Sequence, residues 1–378
     1  MKLRQSTYSI ALTILCLFIG TTVFAQGVTL PRASAQATVK QTVGISEITV
    51  NYSRPNVISP QGQDRSGDIW GNVVPYGYNN LGFGTATEAP WRAGANENTT
   101  ISLSHDAQIG GKELSAGTYG LHIAVMEDGN ATVIFNKKTS AWGSYFYDKA
   151  DDALRVEVET VEIPQTNLLT YNFIAVSNNE ATLALDWEKK RIPVTIAFDT
   201  PEIVYQNLQA ELESSPGFNL TSWTAAANYL VSNNVHLEEA LTYANNAVEG
   251  QFYSQKNFQT LQTKASVLSA MGKTDEAQSV MEEALKDPSA TINNYYNYGR
   301  LLIGQDQDAE ALEIFKKANK RWPDHWLAPH GLARGYSANG DITKALKYEK
   351  TAYEKAPENS KQFLAAYLQT LEEGKDFN

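Results

Sequence analysis

The densest run of side chains able to do chemistry is Trp91-Arg92-Ala93-Gly94-Ala95-Asn96-Glu97-Asn98-Thr99-Thr100. Here Arg92 suits a carboxylate or sugar hydroxyl, Asn96 its orientation, and Glu97 proton transfer as acid or base. Gly94 supplies the backbone freedom that would fold Arg92 and Glu97 toward each other beside an aromatic wall. The plainer reading is an Arg92–Glu97 pair that pins a loop entering a strand, since buried ion pairs commonly fix structure without chemistry.

His105 and His122, with Asp106 beside the first, are the residues from which a metal site would be built. They lack a tight ligand spacing such as His-x-His, and the chain has only five histidines, so no metal and no cofactor are expected. No Gly-rich phosphate loop, nucleophile elbow or zinc-protease motif occurs. The aromatic run Trp142-Gly143-Ser144-Tyr145-Phe146-Tyr147-Asp148 would suit stacking on sugar rings or an apolar ligand if exposed. Burial in a core is the preferred reading.

A last set of candidates lies on a repeat. Gly299 and Ala333, Leu302 and Tyr336, Ala311 and Ala345, Ala318 and Ala352, and Pro323 and Pro357 each stand 34 residues apart. Ala265, Leu268, Ala277 and Ala284 keep the same register one period earlier, and Ala227, Leu230, Ala240, Ala244 and Ala247 repeat it more loosely. Antiparallel helices cross closely only where side chains are small, and larger apolar residues fill the gaps between crossings. Each helix pair leaves an apolar face that the next pair covers, so such units come in arrays. This half resembles the tetratricopeptide repeat, as four units over residues 219–357 with a capping helix over 359–373. The resemblance implies a groove lined by the first helix of each pair. Projected from Gly299 and Ala333, Tyr296, Asn297 and Arg300 share that groove with His330 and Arg334. Arg300 and Arg334 are then neighbours able to attract a carboxylate, such as a peptide terminus or an acidic loop, unless the chain's own acidic residues or the β domain already occupy them.

The remaining candidates need strands to hold them. Ala37, Val39 and Gln41 alternate with Thr38, Lys40 and Thr42, and Ile48, Val50 and Tyr52 with Thr49 and Asn51, the period of half-buried strands. Gly110-Gly111, Asp128-Gly129 and Asn178-Asn179 mark turns between later strands, among them Leu154–Val161, Thr170–Val176, Ala181–Trp187 and Ile192–Phe198. About nine such strands predict an antiparallel sandwich or barrel. Asn56–Asp68 and Tyr76–Pro90 read as long loops, either functional or disordered, and Tyr76, Tyr78 and Phe83 argue against the second being pure linker. At Asp199-Thr200-Pro201-Glu202 a capping residue, a proline and an acidic turn open the helical half. The expected organisation is a signal peptide over 1–25, an antiparallel β domain over 26–199 and tetratricopeptide-like α-helical repeats over 200–378.

The β half carries a further resemblance. PRASAQATV (31–39), VNYSRP (50–55), IWGNVVPYG (69–77), WRAGANENTT (91–100), GGKELSAGTYGLH (110–122) and WGSYFYDKADDALRVEV (142–158) stand in the order found in a family of secreted bacterial proteins. That family is catalogued as domain of unknown function 2911, and some of its members carry helical repeats behind the β domain. It implies no reaction, so no catalytic role follows from it.

The net charge of −11 argues against a nucleic-acid partner, which requires a basic surface. Lys2 and Arg4, the apolar Ile10–Gly20 and the small residues around Ala25 read as a cleaved export signal. The sole cysteine, Cys16, lies inside it, so an exported mature chain has no disulfide, and no later run is long enough to span a membrane. The protein is expected in the periplasm or outside the cell. The reading that follows is a non-enzymatic binding or scaffold protein. Its β domain contacts a ligand, carbohydrate or envelope component, and its repeat groove docks a protein or peptide. The alternatives are a hydrolase of envelope or carbohydrate material using Glu97 and Arg92, and a structural protein whose groove packs on its own β domain.

Overall fold

A computed structural model describes residues 30–378, and the export signal read from the sequence lies outside the described residues. The chain divides into two compact units at Phe198/Asp199. The first is an antiparallel β structure of two sheets. β1 (Ala35–Val43), β2 (Ser46–Arg54), β3 (Thr100–Leu103), β6 (Gly117–Val125), β7 (Asn130–Asn136) and β8 (Asp152–Glu159) form one sheet in that order. The other runs β5 (Lys112–Leu114), β4 (Ala107–Ile109), β10 (Glu180–Ala197), β9 (Val161–Val176).

The turn residues read from the sequence close these hairpins. Gly110 and Gly111, both at positive φ, bring Ile109 opposite Lys112, and Gly129 at φ 93° joins β6 to β7. Ile48, Val50 and Tyr52 point inward from β2 as their alternation requires. β6 and β7 are buried on both faces, because the long connection from β2 to β3 packs over them. Ile134 lies under Ala86 and Ala89 of that connection, and Trp91 exchanges backbone hydrogen bonds with Ile123.

One expectation about the strands is corrected. Ala181–Trp187 and Ile192–Phe198 are one strand, β10, bent at a bulge where Glu188 takes φ 52°. The run Glu188-Lys189-Lys190-Arg191 breaks the apolar alternation. The bulge absorbs it, and the Glu188 carboxylate accepts from Gly67 N and Lys189 N. Pro164 fits within β9 because β9 is an edge strand.

The second unit is helical: α1 (Thr200–Leu212), α2 (Leu220–Asn233), α3 (Leu237–Val248), α4 (Phe258–Ala270), α5 (Thr274–Lys286), α6 (Ile292–Ile303), α7 (Asp308–Arg321), α8 (Leu327–Ala338), α9 (Ile342–Lys355) and α10 (Glu358–Glu372). Asp199 caps α1 by accepting from Glu202 N, and capping boxes open α4 (Asn257 with Thr260) and α6 (Thr291 with Asn294). The periodic alanines are buried at the crossings. Gly299 and Gly331 sit so close to Phe315 that an added Cβ would fall 2.4 Å and 2.6 Å from its ring. No described helix is long and apolar enough to cross a membrane.

Candidate functional site

In the β unit two stretches singled out by sequence come together. The segment after β7 carries Gly143 at φ +62°, a conformation that favours glycine, and the Arg92 guanidinium lies against it. A Cβ on Gly143 would come within 2.1 Å of Arg92 Cζ. Arg92 also lies 5.1 Å from the Tyr145 ring centroid and donates from Nη1 to Asn96 O at 2.5 Å. The next residue, Ser144, is buried and shares a 3.0 Å hydrogen bond with His122 Nδ1 from β6. Burial pushes the His122 imidazole down to about 4. Asp152 opposes the shift and Arg92 adds to it, so the ring is neutral near pH 7. Asp152 is itself saturated by Tyr147 Oη, Arg155 Nε and Asn136 Nδ2.

Of these residues Arg92, Asn96 and Ser144 border a cleft of about 740 Å³, whose lining also includes Trp91, Arg65 and Trp187. Trp91 and Trp187 stack at 6.0 Å and 18°. The buried Trp187 indole N–H has no hydrogen-bond partner among the described residues. Arg65 directs Nε and Nη2 to Val57 O and Asn56 O, which fixes its own loop. Among the described residues Arg92 makes one hydrogen bond from its five N–H groups, so it is a cation with donors to offer a ligand. The cleft thus combines an aromatic wall with a positioned guanidinium, an arrangement able to hold an anionic group attached to an apolar or ring body.

The expected Arg92–Glu97 pair does not form. Both Glu97 carboxylate oxygens accept from Arg32 Nη1, at 2.7 and 2.9 Å, and Glu97 borders a separate small hollow with Gln36, Asn51 and Asn98. Burial raises its carboxyl, but a backbone hydrogen bond and Arg32 outweigh that and hold it below the usual range. The backbone explains the divergence. Ala93 and Asn96, not Gly94, take positive φ (50° and 61°), while Gly94 is required by crowding, its Cβ position lying 2.6 Å from Thr99 Oγ1. The Asn96 amide donates to Ser34 O.

The histidines do not converge on a metal. His105 bonds Ser104, Asp106 accepts from Ala116 N and His122 is taken by Ser144. Among the described residues no group of three or more His, Cys, Asp or Glu is placed to hold an ion. Of the aromatic run, Tyr147 is buried while Trp142 is 53% exposed, so the core reading holds for part of it.

In the helical unit, Arg300 and Arg334 both lie 5.9 Å from the Tyr296 ring, one on each of α6 and α8. Arg300 is exposed, whereas Arg334 is buried and donates from Nε to Tyr296 Oη at 2.8 Å. His330 is buried against Glu349 of α9 at 2.8 and 3.1 Å. The remaining face of Arg334 is covered by the chain's own residues 376–378. Asn297 does not share this groove: one residue from Tyr296, about 100° around the helix, it lines a separate cleft of about 560 Å³ with Gln262, Met281, Tyr298 and Leu301.

The pairings at Arg32, Ser144, Glu349 and Asn378 escaped sequence reasoning. Each joins residues far apart in the chain, and no local periodicity encodes them.

Comparison with known proteins agrees with both halves. Residues 34–196 match the family described as Protein of unknown function (DUF2911), and residues 258–286 and 292–325 match the tetratricopeptide repeat. No curated protein matches the chain. Similar solved structures include YrrB, described as a TPR protein with an unusual peptide-binding site, at 19% identity, 45% of this chain, 85% of that one and TM-score 0.30. The 41-end form of MamA from Desulfovibrio magneticus RS-1 is 18% identical over 41% of this chain and 90% of that one, TM-score 0.29. Over residues 34–196 the chain thus matches the family described as Protein of unknown function (DUF2911), and matches to the tetratricopeptide repeat follow in the same chain.

Proposed function

We propose that this chain is an exported, non-enzymatic binding protein of two parts. The β domain holds a small anionic ligand in the Arg92 cleft, and the tetratricopeptide repeats dock a protein partner. The observation that carries the reading is Arg92 itself. Gly143 and Asn96 hold its guanidinium in place, most of its donors are unused among the described residues, and Trp91 and Trp187 wall the space beside it. Export rests on the N-terminal charge-and-apolar pattern, and docking on the repeat type. A hydrolytic partnership of Glu97 with Arg92 draws no support from their placement, since Glu97 is paired with Arg32 and does not line the cleft.

The test is calorimetric titration of the intact chain with benzoate, indole-3-acetate and glucuronate, alongside the Arg92→Gln variant. At least one of these anions should bind the parent chain. The variant should bind it about ten- to a hundredfold more weakly, the range for losing a charge-assisted hydrogen bond of about 1.5–3 kcal/mol. Equal affinity in Arg92→Gln, or no binding of any of the three, overturns the assignment.

A further inference from the structure

Beyond α10 the chain reverses at Gly374 (φ +76°) and lays Asp376-Phe377-Asn378 across α8. The contacts are specific. Ser337 Oγ donates to Asp376 Oδ1 at 2.5 Å and accepts from Phe377 N at 3.3 Å. The Phe377 ring lies 4.9 Å from Tyr367 and 6.1 Å from His330, with the Arg334 guanidinium 5.1 Å from its centroid. Asn378 reads Arg334 twice, accepting from Nη1 and donating Nδ2 to the backbone oxygen, both at 3.1 Å.

The receiving surface is anchored by groups outside this segment. Arg334 is fixed by Tyr296 of α6, and His330 by the buried Glu349 of α9. Tyr367 belongs to α10. The occupying segment is held on one side: Asp376 and Asn378 remain exposed and Phe377 half-buried. A prebuilt acceptor filled by a short, partly exposed stretch of its own chain is the geometry of a ligand site with a tethered occupant.

We propose that the surface formed by Tyr296, His330, Arg334, Ser337 and Tyr367 recognises an extended segment of a partner protein in which an acidic residue directly precedes an aromatic one. The chain's own Asp376–Asn378 fills that site until such a segment displaces it. Ser337 takes the carboxylate, the His330/Tyr367/Arg334 box takes the ring, and Arg334 takes the next residue's amide. This rests on the docking role proposed above for the repeats and gives it a sequence requirement.

The probe is a fluorescein-labelled peptide of sequence GKDFN, measured by anisotropy against four proteins. They are the full chain, the chain ending at Gly374, the full-length Phe377→Ala variant, and the chain ending at Gly374 that also carries Arg334→Gln. Circular dichroism melts check that each is folded. A tether this short acts as a competitor at millimolar effective concentration. The truncated chain should therefore bind the peptide at least about tenfold more tightly than the full chain, with Phe377→Ala also gaining. Arg334→Gln should abolish the gain, as should replacing the peptide's phenylalanine by alanine. Equal binding by full and truncated chains, or no binding by either tail-altered protein, overturns the proposal. Concentration-dependent dimerisation of the full chain that Phe377→Ala abolishes would assign the site to tail exchange between two copies and overturn it as well. A displayed peptide library separates this failure from that of the docking role. Truncated chain that selects peptides lacking the acidic–aromatic pair keeps docking and rejects this requirement, whereas selection of none rejects both.

Discussion

Protonation of His122 should destabilise the β domain from the acid side. The imidazole titrates at 6.5 in its ordinary state and at about 4 when buried beneath Ser144, because burial disfavours its charged form. The unfolded chain therefore binds the proton first. The stability conferred by neutral His122 is fully present above about pH 6.5 and is lost as pH falls from there toward 4. The gap between 6.5 and about 4 is worth about 3 kcal/mol once complete. Between pH 7 and pH 5 the loss is about 2 kcal/mol. Hydrogen exchange on peptides covering β6, followed through a urea series at the two pH values, reads this domain without interference from the helical unit. His122→Gln retains a polar side chain facing Ser144 and cannot titrate. It should be less stable at pH 7 yet lose about 2 kcal/mol less than the parent chain on acidification. Equal losses in the two chains would refute the assignment of the acid sensitivity to this ring.

Gly143→Ala should cost about 1–3 kcal/mol, because it strains a positive φ and drives a methyl into the Arg92 guanidinium. Calorimetry should show anion binding lost in parallel with the fall in melting temperature. Gly299→Ala should destabilise the helical unit by about 1–3 kcal/mol through its clash with the buried Phe315 ring, read as an earlier far-ultraviolet melt. Arg32→Ala should change stability by less than about 1 kcal/mol and leave the Arg92 cleft competent, because the Arg32–Glu97 pair is largely solvated. Urea unfolding and the same titrations check it.

The parts legible in the sequence are those whose physics is local or periodic. Ala311, Ala318, Ala345 and Ala352 announced the helix crossings because a crossing admits only small side chains, and all four are buried. Gly110-Gly111 and Asp128-Gly129 announced hairpins because a tight turn needs positive φ. β10 reads as two strands in the sequence because four charged residues interrupt its alternation, and a bulge is a remedy that alternation does not reveal. The site was legible in its ingredients rather than in its partnerships. Arg92 and the Trp142–Asp148 run were both conspicuous, but what joins them is the packing of one long connection against another across β6 and β7. The turn that sends Glu97 to Arg32 depends on positive φ at an alanine and an asparagine, residues that carry no such demand by type.

That packing also ties the cleft to the pH response. The β2–β3 connection contributes Trp91, Arg92 and Asn96, and the β7–β8 connection contributes Gly143, Ser144 and Tyr145. Segments outside a sheet are free to vary in sequence, but here each needs the other: Arg92 has its place because Gly143 has no side chain, and Ser144 has its place because His122 rises from the sheet below. His122 holds Ser144 while neutral. A proton on it would be carried in a buried setting, and that burial is what chiefly opposes the charge, since the attraction of Asp152 outweighs the repulsion of Arg92. The segment carrying Ser144 and Gly143 is then the part with most to gain by moving away, and with it goes the surface on which the guanidinium rests. Acid should therefore weaken anion binding before it unfolds the domain.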